Sequence, residues 1–379
     1  MIYSRQDKFG YYLVGTTKFY SKLEAIEFSV RTNQKVTWHF NDIEFGLHDW
    51  TIEPTETLEE LYRQRAQQLR EKYDYLVLWF SGGSDSDNIL HTFVTNNIKL
   101  DECASLVNYA ATGSREDWLN GEIYNVAIPK VTAAQKTQPW MQHTLVDIAQ
   151  PTVDYFSKQD ASDWIYGLNN FVNPNSAVKQ VIKQTVPHWV KLMESGKRVG
   201  FIYGLEKPMI HGFGKNYYFK FTDSIDNAVS NVVQSKNDEW DHNELFYWDP
   251  SCVKLLTKQG HAVKHFLKRA EGLSQDKERI FMNSTVVDKK VKWLTIELLN
   301  SIVYPGWKPV DYQVKPTSLI HSPRDQWFFK LPDNDAAKHA WKIGIEHLWN
   351  TLPQKHKLGM WAGNPNIKRL SSKFYDLGS

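Results

Sequence analysis

Cysteine and long apolar runs are what this chain lacks most plainly. Of 379 residues only two are cysteine, Cys103 and Cys252, and they lie far apart. Two such thiols build no disulfide framework, and they point to a reducing compartment, the cytoplasm. They also leave no Cys-x-x-Cys pair and no four-cysteine zinc site. No stretch of about 18 apolar residues occurs, so no membrane-spanning helix and no membrane partner are expected. The start, Met1-Ile2-Tyr3-Ser4-Arg5-Gln6-Asp7-Lys8, has no apolar signal-peptide core. The Gly-x-x-x-x-Gly-Lys-Ser/Thr phosphate loop is absent as well. There is no internal repeat and no low-complexity segment.

What is present fits an ordinary globular protein with room for two or three domains. Charged residues make up 23% and hydrophobic residues 41%. Aromatics reach 14%, with 15 Trp, which means either stacking surfaces or, more usually, core. The net charge of +2 hides an imbalance. Residues 1–250 hold 24 Lys+Arg against 32 Asp+Glu, whereas residues 251–379 hold 21 against 11, with six of the histidines. A basic C-terminal region either attracts a polyanion such as tRNA or DNA or forms a solvated face.

Element patterns suggest an α/β chain in three parts. Residues 1–56 read as a small β-rich accessory module. Phe9-Gly10-Tyr11-Tyr12-Leu13-Val14-Gly15 and Val36-Thr37-Trp38-His39-Phe40 are strand-like, and a short helix between them is started by Ser21 and its capping partner Glu24. Residues 57–250 alternate helices and strands. Thr57-Leu58-Glu59-Glu60 is a capping box whose helix runs to about residue 72. Strands are expected at 75–80, 104–109, 144–148 and 199–204, with a helix over about 176–194. That alternation implies a doubly wound, mostly parallel sheet, whose ligands bind at the C-terminal strand ends near a switch in strand order. Residues 251–379 turn helical, over 252–273, 289–302 and 336–352. The tail after Lys355, with Gly359, Gly363 and Pro365, reads as a lightly ordered extension.

The most specific signal follows the first of these strands. Tyr75-Leu76-Val77-Leu78-Trp79-Phe80 runs into Ser81-Gly82-Gly83-Ser84-Asp85-Ser86, and a helix begins at once. Free amides at a helix start, favoured by the helix dipole, hold phosphate, and glycines let the backbone approach it. Ser81 and Ser86 add hydroxyls. Asp85 suits such a place if it holds Mg²⁺ or caps the turn. The hexapeptide and its strand–turn–helix setting resemble the PP-loop of the N-type ATP pyrophosphatases, the adenine nucleotide alpha-hydrolase-like superfamily with its HUP/Rossmann-like domain. Nearest in pattern is the synthase domain of the asparagine synthetases, which shares the helix–strand–PP-loop order. The resemblance covers about residues 57–260. It implies ATP and Mg²⁺ as cofactors, cleavage between the α- and β-phosphates, and AMP left on a substrate oxygen.

Within the resemblance, Ser81, Gly82, Gly83, Ser84, Asp85 and Ser86 correspond to the phosphate cradle, and Asp85 to a catalytic and metal-holding carboxylate. Val107 and Asn108, with Tyr109, are candidates to cup the adenine or are simply core. Glu206 and Lys207, in Tyr203-Gly204-Leu205-Glu206-Lys207-Pro208, would serve as a metal ligand and a phosphate or substrate contact, or would belong to a surface turn. The Gly-x-Gly-x-Asp-Glu pattern of asparagine synthetases is not reproduced there. Arg115 and Glu116 sit in a loop that would cover the site. Asp249 or Ser251 would cap the following helix, on which Lys254, Lys258 and His261 share a face, turned to phosphate or to solvent. With no cysteine before Cys103, a glutaminase half headed by cysteine is not expected. Absence of paired cysteines argues against the tRNA thiolases, absence of a four-cysteine zinc site against the deazaguanine nitrile synthase, and absence of a Glu-Cys-Gly-x-His motif against the sulfonucleotide reductases. What remains is adenylation of a carboxylate or carbonyl oxygen followed by attack of a nitrogen nucleophile, on an acceptor the sequence does not name. The alternatives are the same core acting on a tRNA or DNA base, and an ATP-binding protein without catalysis.

Overall fold

The computed structural model describes residues 7–112, 121–158, 163–167, 172–174, 182–213, 215–224, 242–269, 299–308, 326–361 and 364–379. At the N-terminal end, β1 (Tyr11–Val14), β2 (Thr17–Phe19) and β3 (Val36–His39) form an antiparallel sheet in the order β2-β1-β3. The Lys22–Thr32 helix spans the interval between β2 and β3, and the Ser21 hydroxyl accepts from the Glu24 amide as its cap. The next helix, Leu58–Lys72, opens on a complete capping box. Thr57 accepts from the Glu60 amide and the Glu60 carboxylate accepts from the Thr57 amide, which settles two of the donors a helix start leaves open.

The body of the molecule is a parallel sheet of β4 (Tyr75–Trp79), β5 (Glu102–Val107), β6 (Gln142–Asp147), β7 (Val199–Tyr203) and a fifth strand. Two antiparallel strands, β8 (Met209–Phe213) and β9 (Asn216–Lys220), follow β7, and β10 (Asn243–Leu245) then completes the parallel sheet. Its order is β10-β7-β4-β5-β6. All five residues of β7 are buried, as expected of a strand covered on both faces. From β4 the chain steps outward through β5 and β6, then returns to the other side of β4 with β7. Winding therefore reverses between β4 and β7, and the crevice at their C-terminal ends is the ligand position of such sheets. The fold is α/β with flanking helices, as the sequence implies.

Several boundaries differ from the sequence reading. The helix expected over 176–194 is described only from 182. It is a turn at Ile182–Thr185 and then a helix at Pro187–Glu194. Pro187 accounts for the break, because a residue preceding proline is pushed out of the helical region, and Val186 has φ −104° and ψ 104°. Most of the helix expected over 289–302 lies outside the described residues. The largest correction concerns the tail. β11 (Lys357–Trp361) pairs with β12 (Asn364–Ile367), and β13 (Tyr375–Asp376) adds to β9. Tyr375 and Leu377 are buried, so this segment is an integral edge rather than a loose extension.

The aromatics are mostly core. Phe45 stacks on Phe221 with ring centres 4.6 Å apart, Trp50 on Tyr375 at 4.8 Å, and Phe221 meets Trp248 edge-on at 5.0 Å. These rings join the N-terminal module, the β8-β9-β13 sheet and the segment after β10. Beneath them lies a fully buried ion pair, Lys22 Nζ to Asp223 Oδ2 at 2.7 Å. Tyr12 donates to the same carboxylate oxygen, and the Leu370 amide donates to Oδ1. Among the described residues no helix is long and apolar enough to cross a membrane.

Candidate active site

The 81–86 turn leaves the C-terminal end of β4 and enters the Ser84–Thr95 helix, with Gly83 as its N-cap and no side chain capping it. Gly82 has φ +76°, and a Cβ there would lie 3.1 Å from the Ala127 amide nitrogen. Only glycine fits both the left-handed backbone and the close approach. The Gly83 amide donates to Ser81 Oγ at 3.3 Å. Among the described residues the amides of Gly82, Ser84, Asp85 and Ser86 take no partner. Four unclaimed donors at a helix start on a glycine turn are a donor set that fits a phosphate group. The serines divide their tasks. Ser86 is buried and spends its proton on the Gly83 carbonyl at 3.1 Å, so it shapes the turn. Ser81 is exposed, and its Oγ accepts from the Gly83 amide.

Asp85 does not cap the turn. Its Oδ1 accepts from Lys207 Nζ at 2.5 Å and from the Tyr304 hydroxyl. Lys207 comes from the segment after β7, across the winding reversal. Gly204 permits this proximity, since a Cβ there would lie 3.1 Å from the Asp85 carbonyl carbon and 3.2 Å from the Ser86 nitrogen. Glu206 is half-buried beside the pair. Burial and the Asp85 charge raise its pKa, while Arg369, Lys207 and a hydrogen bond from Ser224 pull the other way. Thus Asp85, Glu206 and Lys207, nominated from two separate segments, lie together, with Lys207 paired to Asp85 and Glu206 within reach of both charges.

Three aromatic hydroxyls support the loop from below. Tyr247 donates to the Asp85 carbonyl at 2.8 Å and accepts from Asn88 at 3.1 Å. Tyr62 donates to the Val303 carbonyl at 2.6 Å, next to Tyr304. Burial holds the Tyr247 and Tyr304 phenols well above their ordinary pKa, so both remain proton donors. Tyr304 and Arg369 escape sequence reasoning because they stand in no motif. Tyr247 falls within the 246–252 stretch, whose pattern signals only a helix opening. A shallow cleft of about 350 Å³ on the far side of Tyr304 includes Thr57, Glu59 and Lys258 but none of residues 81–86.

The other candidates are placed as follows. Val107 and Asn108 end β5 and are both 1% exposed. The Val107 carbonyl accepts from the Ile148 amide at 3.0 Å, so it is committed to the sheet end. Tyr109 begins the short Tyr109–Thr112 helix rather than ending the strand. Arg115 and Glu116 lie outside the described residues. Asp249 caps the Pro250–Cys252 turn through the Ser251 amide. The cationic face of the Val253–Arg269 helix is tied down within the chain. Lys254 pairs with Glu56 at 2.6 Å, Lys258 with Glu53 at 2.8 Å, and His261 bonds the Trp50 carbonyl at 2.9 Å. Burial raises both thiols, Cys103 strongly and Cys252 to about 12, so neither is a ready nucleophile.

No family model matches the chain, and no curated protein matches it. Among solved structures it is similar to the NAD+ synthetase from Burkholderia pseudomallei, with 11% identity and a TM-score of 0.30 over 66% of this chain and 91% of that one. At that TM-score the likeness carries no weight for function.

Proposed function

We propose that the chain is an ATP-dependent ligase that forms AMP and pyrophosphate, working as a PP-loop ATP pyrophosphatase. One observation carries this reading. The unclaimed amides of a strand–glycine turn–helix and the Asp85–Lys207 pair with Glu206 meet at the crevice where the sheet reverses its winding. In this reading the amides of Gly82, Ser84, Asp85 and Ser86 and the Ser81 hydroxyl hold the β,γ-phosphates. The adenine is assigned to the end of β5, beside the buried Val107 and Asn108. Asp85 and Glu206 are hard oxygen ligands of the kind Mg²⁺ takes alongside substrate phosphates, and a bound Mg²⁺ supplies charge neutralisation there. Lys207 exchanges its Asp85 carboxylate for the departing pyrophosphate, where its charge stabilises the negative charge that builds up. Tyr304 keeps Asp85 in place during that exchange. The acceptor oxygen attacks the α-phosphorus, the bond to pyrophosphate breaks, and an amine then displaces AMP.

We take the acceptor to be a small carboxylate, which amide formation calls for; Lys254 and Lys258, two cations of the basic C-terminal region, pair with Glu56 and Glu53. The test is incubation with Mg-ATP, ammonia and a panel of carboxylic acids, with product nucleotides resolved by chromatography. AMP and pyrophosphate in equal amounts are expected. ADP and phosphate would refute the reading, and tight ATP binding without turnover on any acceptor would leave a nucleotide-binding protein in its place.

A further inference from the structure

Away from the crevice, one cluster of ligand-type side chains among the described residues is left without a role by the proposed reaction. His261 and His265 are one turn apart on the Val253–Arg269 helix and so share a face. Glu53, from the segment that joins the N-terminal module to the Leu58–Lys72 helix, faces them. The donor atoms of the three all lie within 4.8 Å of one another. His265 Nε2 stands 2.6 Å from Glu53 Oε2, while Lys258 takes the other oxygen, Oε1, at 2.8 Å.

We propose that Glu53, His261 and His265 bind a divalent transition-metal ion, with Zn²⁺ the best fit, and that the ion pins the 50–56 segment to the Val253–Arg269 helix. Two imidazoles and one carboxylate are the nitrogen and oxygen ligands that zinc accepts. The second contact of His261 supports the assignment. A carbonyl only accepts, so the His261 Nε2 that bonds the Trp50 carbonyl carries the proton, and Nδ1 is the lone-pair nitrogen. A ring held in one tautomer by a backbone carbonyl is the usual companion of metal ligation. His261 is buried and rigid, whereas His265 and Glu53 are partly exposed, which gives an ion a way in and leaves room for water as a fourth ligand. Zinc bonds of about 2.0–2.1 Å set tetrahedral donors about 3.4 Å apart, so closure asks the two exposed side chains to move by about 1 Å. The hydrogen bond between His265 Nε2 and Glu53 Oε2 is the contact the metal would replace.

The experiment uses the full chain, stripped of metal and titrated calorimetrically with Zn²⁺ in two buffers of different ionisation enthalpy. Expected are one equivalent bound at micromolar affinity or tighter, proton release on binding, and a higher melting temperature with zinc than without. Glu53→Gln and His265→Gln, each checked for an unchanged circular dichroism spectrum, should each weaken binding by at least about tenfold. His339→Gln, on an exposed helix position, should not. Absence of stoichiometric binding, or affinity that survives both substitutions, would overturn the site and leave the three residues as an ion-pair cluster. ATP turnover is not read, so this outcome is independent of the proposed ligase reaction.

Discussion

Lys207 is the residue whose role separates chemistry from packing most cleanly. Its ammonium sits on Asp85 at 2.5 Å, and both groups are only half-buried, so the ion pair alone contributes little to stability. Lys207→Met keeps the aliphatic stem and removes the charge. Unfolding by urea should therefore change by about 1 kcal/mol or less. Pyrophosphate release should fall by about 10²-fold or more, the usual cost of removing one donor that stabilises developing charge. Both are measurable on the same preparation, the second by a coupled pyrophosphate assay. A rate unchanged in Lys207→Met would take the residue out of the mechanism and return 203–208 to the status of a connecting loop. The sequence makes this residue visible only as the polar end of an apolar strand. Its partnership with Asp85 depends on strand order, which no local pattern encodes.

At the scale of elements, the legible parts are those whose stability is local. The capping box at Thr57 and the apolar run before Ser81 announce themselves, because their bonds and periodicities lie within a few residues. Elements held by distant partners are opaque. β10 is three residues, Asn243-Glu244-Leu245, with no strand signal in the sequence. Its buried Glu244 is tolerable only because Arg65, Lys72 and the Tyr73 hydroxyl reach it, and a buried charge needs such partners. β13 is equally hidden in a tail of turn formers. The Lys22–Asp223 pair tests how firmly these remote elements are tied. Asp223→Ala removes the counter-ion of a buried ammonium that keeps its bond to the Lys368 carbonyl, and takes the Leu370 amide's acceptor, so it should cost about 3–5 kcal/mol in denaturant unfolding. The double change Lys22→Met with Asp223→Leu replaces the pair by apolar volume and should recover a large part of that loss. If both variants were equally damaged, the value of this site would lie in its hydrogen bonds to Tyr12 and Leu370 rather than in the buried charges.

For the whole molecule, the balance of buried carboxylates sets how it responds to acid. Burial would raise the pKa of Glu244, but the charges of Lys8 and Arg65 and the hydrogen bonds from Lys72 and Tyr73 outweigh it and bring the group from 4.5 to about 2. A carboxyl whose folded pKa is depressed contributes stability that is complete above its unfolded value and is lost as pH falls through the folded one. The window is therefore from about pH 5 down to about pH 2, and a shift of this size corresponds to about 3 kcal/mol. Glu206 acts with the opposite sign. Its pKa is raised in the fold, so its ionisation opposes folding at neutral pH, and that opposition is relieved as pH falls through its folded value. Glu244 at the β10 edge is thus expected to contribute to acid lability, alongside Glu53, which His265 and Lys258 also hold at about 2. Urea unfolding of the wild type and Glu244→Gln between about pH 7 and about pH 3 isolates this contribution. The variant should be the less stable at neutral pH, and the gap should hold down to about pH 5 and narrow below it. A gap that stayed constant across this range would mean that the substitution removes packing and hydrogen bonds but no linked proton, and the acid response would have to originate elsewhere in the sheet.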